Sequence, residues 1–154
     1  MSKQRFKLVA TAHLLLVKDK KILLIQRKNT LYYDGYYGVP AGHIDGKETV
    51  TTTMLREAKE EINVKLKKIN LNLVHVMHRI GAITDKDPEY HERLDFFFQT
   101  KYWQGKPKNM EPEKCDDLNW FDVNNLPENT IPYIKQAIEN IQKGIVYSES
   151  GWKE

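Results

Sequence analysis

The sequence predicts one α/β domain, a mixed sheet carrying two helices. Three observations support this. Apolar runs of strand length recur along the chain, the strongest being Arg93 to Trp103 (RLDFFFQTKYW). Two stretches, about 49–62 and 130–143, instead space their apolar residues at the helical period. Finally, 154 residues suffice for one hydrophobic core, and no linker, repeat or shift in composition interrupts them, so the expected domain spans 1–154.

Taken in order, Leu8 to Val17 (LVATAHLLLV) and Ile22 to Arg27 read as strands, with the charged Lys18 to Lys21 as a hairpin turn between them. The following KNTLYYDGYYGVPAGHIDGKE is rich in Gly, Tyr and Asp. It predicts a loop with at most a short strand near Tyr36 to Val39. Met54, Leu55, Ala58 and Ile62 then share one helical face. Lys67 to Ile80 is strand-like, its alternation clearest in LNLVHVMHRI, and Asp85 to Pro88 marks a loop. After the aromatic strand, Gln104 to Glu113 predicts a polar loop and Leu118 to Phe121 a short strand. In the last helix Ile131, Ile134, Ala137, Ile138 and Ile141 fall at helical spacing. Pro132 sits in its first turn and Gly144 follows as a stop.

Hydrophobic residues make up 40% of the chain, an ordinary globular share that argues against disorder. A net charge of +3, from 24 basic and 21 acidic residues, is too balanced to call for a nucleic acid polymer or a membrane surface. Cys115 is the lone cysteine, which excludes an intrachain disulfide. The N-terminal run lacks a signal-peptide pattern, and no segment approaches the roughly 20 apolar residues of a membrane span. The expectation is a cytoplasmic protein, monomer or homodimer.

The first helix raises a physical question. Glu57, Glu60 and Glu61 lie three and four residues apart, so they share a side of the helix. That side abuts the stripe of Met54, Ala58 and Ile62, at the edge of the core, where repulsion between carboxylates is poorly screened. Taken alone, the three acids fit a solvated face. That is the simpler assignment on this ground alone, and a site for a hard divalent cation, which takes oxygen ligands, is the alternative.

The wider spacing bears on this choice. Gly42, five residues, Glu48, seven residues, Arg56-Glu57-Ala58, one residue, Glu60-Glu61, one residue, Asn63-Val64 resembles the Nudix box, G-x5-E-x7-R-E-U-x-E-E-x-G-U, U being a bulky apolar residue. The chain departs from it at Asn63, where the family usually has Gly, and at Ala58, where it has a larger aliphatic. Asn is the residue next most at ease at positive φ, so a helix C-cap at 63 survives. The resemblance extends in outline through Tyr37-Gly38-Val39-Pro40-Ala41 to Trp120 and the last helix.

The resemblance implies an α/β/α sandwich and a hydrolase that cleaves nucleoside diphosphates linked to another moiety, with Mg2+ bound and Mn2+ as the alternative. By position, Glu57 and Glu61 resemble the principal metal ligands, and Glu60 resembles an auxiliary ligand or base. Glu48 and Arg56 resemble the pair that braces the loop against the helix. The Ala41 carbonyl resembles a further ligand. Glu92, three residues before Asp95, resembles the acid that some members supply after the box as ligand or base. A solvated strand-edge acid is the competing assignment, and Glu89 is the spare candidate. Arg27, Tyr37, Gly42 and His43 are the expected substrate contacts, and His91 neighbours Glu92. His13 is expected to be a half-buried strand residue, and His75 and His78 to point to opposite faces.

The expected substrate is a small nucleotide, with a (deoxy)nucleoside triphosphate or a modified nucleotide favoured by the bare single domain. Tyr32, Tyr33, Tyr36 and Tyr37 crowd the loop before the box, where an aromatic face stacks on a base. The residues near Arg79 to Ala82 lack the Pro or Tyr that marks some subfamilies, no SQPWPF-like array is present, and Gly38 stands where sanitising enzymes often place a polar base reader. The alternative is an idle Nudix domain that binds a nucleotide or protein as a sensor. Idle members usually lose box acids, and all are present here.

Overall fold

The computed structural model describes residues 2–81 and 92–153. The loop expected at Asp85 to Pro88 and the candidates Glu89 and His91 lie outside them. The two opening strands are β1 (Val9–Lys18) and β2 (Lys21–Arg27), joined through Asp19 and Lys20, both at positive φ (51° and 62°). Two left-handed residues make the tight turn whose twist matches a hairpin. β3 (Tyr37–Gly38) and β4 (Ala41–His43) follow, then α1 (Val50–Ile62). Next come β5 (Asn72–Ile80), β6 (Glu92–Thr100), β7 (Cys115–Asp122), α2 (Pro132–Gln142) and β8 (Tyr147–Ser150).

The strands form one eight-stranded mixed sheet in the order β3-β2-β1-β6-β5-β8, with β4 on β1 and β7 on β2. β1 runs parallel to β6, and β5 parallel to β8. Each face carries one helix. Ala12, Leu14 and Leu16 of β1 join Phe96 and Phe98 of β6 against Met54, Ala58 and Ile62 of α1. Leu15 of β1 and Phe97 of β6 turn the other way, against Ile134, Ala137 and Ile138 of α2. Both faces of β1 are therefore covered, which is why LVATAHLLLV is apolar almost throughout rather than alternating.

Five details differ from the sequence expectations. Lys68–Asn70 is a 3-10 turn, so the fifth strand starts later than Lys67. β6 stops at Thr100, short of Trp103, while β7 begins at Cys115, before Leu118. β4 and β8 were not anticipated. β4 is three residues inside a glycine-rich stretch, and β8 carries polar Ser148, Glu149 and Ser150; each is a strand because a neighbouring edge offers hydrogen bonds.

Candidate active site

The box helix is fixed at both ends by its own sequence. Thr49 Oγ1 accepts from the Thr52 amide at 3.1 Å, an N-cap. Asn63 adopts φ 58°, and the Val64 amide reaches back to the Ala58 carbonyl at 3.3 Å, a C-cap that Asn supports in place of Gly. Beyond the cap, the 104–110 loop runs alongside the helix end. Lys108 donates its amide to the Ile62 carbonyl (2.9 Å) and Met110 to the Glu61 carbonyl (3.1 Å), pairing carbonyls the helix cannot.

Arg56 is the hub of the charged cluster. Its Nη2 and Nε hold the two oxygens of Glu48 at 2.8 and 3.3 Å, a fork that fixes the loop before the helix. Its Nη1 donates to Glu57 at 2.8 Å and to Glu60 at 3.3 Å. Glu48 also accepts from Thr53 Oγ1 and the Asp45 amide. Hydrogen bonds from Arg56, Thr53 and Asp45 hold the Glu48 carboxyl down at about 2.

Glu57 and Glu61 both lie against the Ala41–Gly42 segment. The Ala41 amide donates to Glu61 Oε2 at 3.1 Å. A Cβ on residue 42 would overlap the Glu57 carboxylate, so only glycine admits that side chain there. Burial, then the Glu57 charge, push the Glu61 carboxyl up to about 8, against the Ala41 amide and Arg27. Burial also raises Glu57, and Arg56 opposes it. Glu60 is half-exposed.

Outside the box, Glu111 adds negative charge at both Glu57 and Glu61. This acid was missed in the sequence. It stands in a polar loop with no motif around it, and is placed by the amide bonds along the end of α1 and by Asn109, whose Oδ1 accepts from the Glu111 amide at 3.1 Å. Glu92 instead accepts from His78 Nε2 at 3.3 Å on β5, and His78 in turn touches the Trp152 ring.

The expected substrate contacts separate. Arg27 donates through Nε to the Tyr32 carbonyl at 3.1 Å, while its charge acts on both Glu61 and Tyr133. His43 accepts from Arg93 Nη1 at 3.0 Å through Nε2, and burial, then the Arg93 charge, lower its pKa. Tyr37 donates its hydroxyl to Asp117 at 2.6 Å and packs its ring on Phe121. That bond holds the hydroxyl proton up to about 12, and the side chain braces β3 against β7. Cys115 is buried, and burial raises its thiol, which makes it an inert side chain.

Among the described residues, no three acids, histidines or cysteines are already gathered at metal-binding spacing. The available groups are nevertheless all oxygen donors, the set a hard divalent cation takes: Glu57, Glu61, Glu60 and the Ala41 carbonyl. Burial and then the Glu57 charge penalise ionised Glu61 and lift it to about 8, and a bound cation would offset both.

Comparison with known proteins bears on the assignment. The family profile of the NUDIX domain matches residues 7–141. The chain belongs to the Nudix family. An ADP-ribose pyrophosphatase of Methanocaldococcus jannaschii is 34% identical over 72% of this chain and 60% of its own length. The NAD-capped RNA hydrolase NudC of Chromobacterium violaceum is 28% identical over 80% of this chain and 42% of its own. The chain thus spans about half the length of these Nudix relatives. Among solved structures, the MutT Nudix hydrolase of Burkholderia pseudomallei superposes with a TM-score of 0.77 at 26% identity, over 87% of this chain and 98% of that one. Among the described residues no helix is long and apolar enough to cross a membrane.

Proposed function

We propose that this Nudix domain hydrolyses a nucleoside diphosphate-linked compound with a divalent metal ion, Mg2+ or alternatively Mn2+, and that its substrate is a small nucleotide such as a (deoxy)nucleoside triphosphate or a modified nucleotide. The observation that carries the proposal is the convergence of Glu57 and Glu61 on the Ala41–Gly42 backbone, with Arg56 and Glu48 bracing the loop behind them. The name of the pyrophosphatase relative supports a diphosphate as the scissile group.

A bound divalent cation neutralises charge on the diphosphate and lowers the pKa of water. Glu57, Glu61, Glu60 and the Ala41 carbonyl would hold it. Gly42 lets the backbone and Glu57 approach closely, while Glu48 and Arg56 orient Glu57. The proton of the attacking water goes to a carboxylate. Glu111, in the loop whose Met110 amide donates to the Glu61 carbonyl at 3.1 Å, is the favoured acceptor, whereas Glu92 is held by His78. Glu60 is the remaining candidate. Arg27, whose charge is felt at Glu61 and Tyr133, and His43 are the substrate-side groups.

The test is a screen of nucleoside triphosphates, ADP-ribose and dinucleotides with Mg2+ or Mn2+, with both products identified. Metal-dependent release of a nucleoside monophosphate supports the proposal. Tight nucleotide binding without turnover would instead make the domain a sensor.

A further inference from the structure

We propose that Arg79, fixed by Asp95 and laid on Tyr133, is the specificity-determining residue of this site and selects 6-oxopurine nucleotides over adenine nucleotides. The proposal rests on the nucleotide reading of the preceding subsection and names the base.

Three strands build the feature on the α2 side of the sheet. Asp95 on β6 is fully buried. Its Oδ1 accepts from His13 Nε2 on β1 at 3.0 Å, and its Oδ2 accepts from Arg79 Nε on β5 at 2.8 Å. The His13 ring is itself stacked on Phe97, with centroids 4.6 Å apart. The Arg79 guanidinium carbon stands 3.7 Å from the centre of the Tyr133 ring. Tyr133 meets Tyr33 edge to face at 6.2 Å, and Tyr33 meets Tyr36 at 5.5 Å. Tyr33 and Tyr36 are exposed, so a row of rings leads from the surface to Arg79. Arg27, whose Nε donates to the Tyr32 carbonyl at 3.1 Å, stands in the same loop region as Tyr33 and Tyr36 and its charge is felt at Tyr133 and at Glu61.

A core does not need this arrangement. Apolar residues of similar volume pack as well without the desolvation of buried charges. What the arrangement does is immobilise a guanidinium: Nε is tied, one face is covered, and the Asp95 that ties it is itself pinned from behind. Among the described residues the terminal nitrogens of Arg79 have no hydrogen-bond partner. The Arg79 side chain is 11% exposed, so these nitrogens are open to solvent or a ligand, while Thr11 Oγ1 and His13 Nδ1, two residues apart on the same face of β1, are buried without a partner. Donors held open in a fixed plane are placed to meet a polar ligand.

The guanidinium offers donors only, in a flat fork, and so matches two acceptors side by side. Phosphate and carboxylate meet that requirement, but the row of tyrosines selects a flat ring. Guanine and hypoxanthine present O6 and N7 as adjacent acceptors. Adenine keeps N7 and replaces O6 with an amino donor, which faces the guanidinium donor to donor.

The experiment is steady-state kcat/KM with Mg2+ for GTP, ITP, ATP and CTP, on wild type, Arg79→Lys and Arg79→Gln. Wild type should favour GTP and ITP over ATP by about tenfold or more, the discrimination of one forked contact. ITP lacks the 2-amino group, so parity with GTP assigns the selection to O6 and N7. Arg79→Lys keeps a charge beside Asp95 and loses the fork, so the GTP:ATP ratio should fall, mainly through KM for GTP. Arg79→Gln presents one donor and one acceptor and should move the ratio towards ATP.

A wild-type preference for ATP overturns the proposal. So does an equal loss on every nucleotide in Arg79→Lys, which would mark a merely structural arginine. If Arg79→Gln does not fold, the wild-type ratio and Arg79→Lys decide. If no nucleotide is hydrolysed, the catalytic proposal fails separately, and calorimetric Kd values for GTP and ATP apply the same tenfold criterion here.

Discussion

Gly42 and Glu57 compete for one space: the carboxylate of the helix residue lies where the loop residue would carry its Cβ. The opening glycine of the box is thus defined by the acid fifteen residues later in the chain. Gly42→Ala should displace Glu57 while leaving α1 and its caps in place. A displacement of about 1 Å in such a group costs on the order of 100-fold in turnover. Steady-state kinetics beside a circular dichroism spectrum checks this. Wild-type turnover with a native spectrum would show that Glu57 can lie elsewhere and still work.

Charge at the box helix is the second test. Glu57→Gln and Glu61→Gln each remove one formal charge with little change of shape, and turnover should fall by orders of magnitude with the fold intact. In thermal melts, Mg2+ should raise the Tm of wild type in a concentration-dependent way, by up to about 2.7 kcal/mol of stability at a hundredfold excess over Kd. Both variants should show a smaller rise. If sodium chloride of equal ionic strength reproduces the wild-type rise, the cluster does not bind the ion specifically.

Two acids outside the helix's charged side can be told apart. Glu111→Gln should lower kcat strongly, because its loop is bonded to the end of α1 beside Glu61 and the proposal makes it the proton acceptor. Glu92→Gln should change kcat little, because Glu92 is engaged by His78. The reverse order of effects would return the proton-accepting role to the strand.

Asp95 sets an acid limit. Burial alone would raise its carboxyl, but His13 and Arg79 more than reverse this and hold it at about 2, below the ordinary 3.8. A depressed folded-state value contributes stability that is fully present above the unfolded value, near pH 4, and is lost as pH falls through about 2. The contribution is on the order of 2 kcal/mol. Asp95→Asn should therefore be less stable than wild type at pH 6, with the gap narrowing between pH 4 and pH 2. Urea unfolding across that range measures it, and a gap independent of pH would contradict the ion-pair account.

Much of this was legible in the sequence because it is local. The caps of α1, the periodicity of both helices and the spacing that brings Glu48 to Arg56 are all set within a few turns of chain. What escaped was non-local. β8 is a strand because β5 has a free edge beside it, and polar Ser148 and Glu149 carry no period that would say so. Glu111 reaches the box acids through backbone bonds made by its loop. His13, Asp95 and Arg79 meet only when three strands align, so each looked like an isolated polar residue in an apolar run. The bond from Tyr37 to Asp117 escaped for the same reason, since the two lie eighty residues apart.

The alternation along β1 and β6 has a consequence for how such a domain can be altered. His13 and Leu14, or Asp95 and Phe96, are neighbours in the chain but belong to opposite layers. Side chains at 11, 13, 79 and 95 can be replaced without touching the packing that seats the box helix, and those at 12, 14, 96 and 98 without touching the buried ion pairs. Point substitutions can therefore diversify one layer while the other is inherited unchanged. A single-residue insertion in either strand is different, because it would exchange the two layers beyond that point and disable both at once.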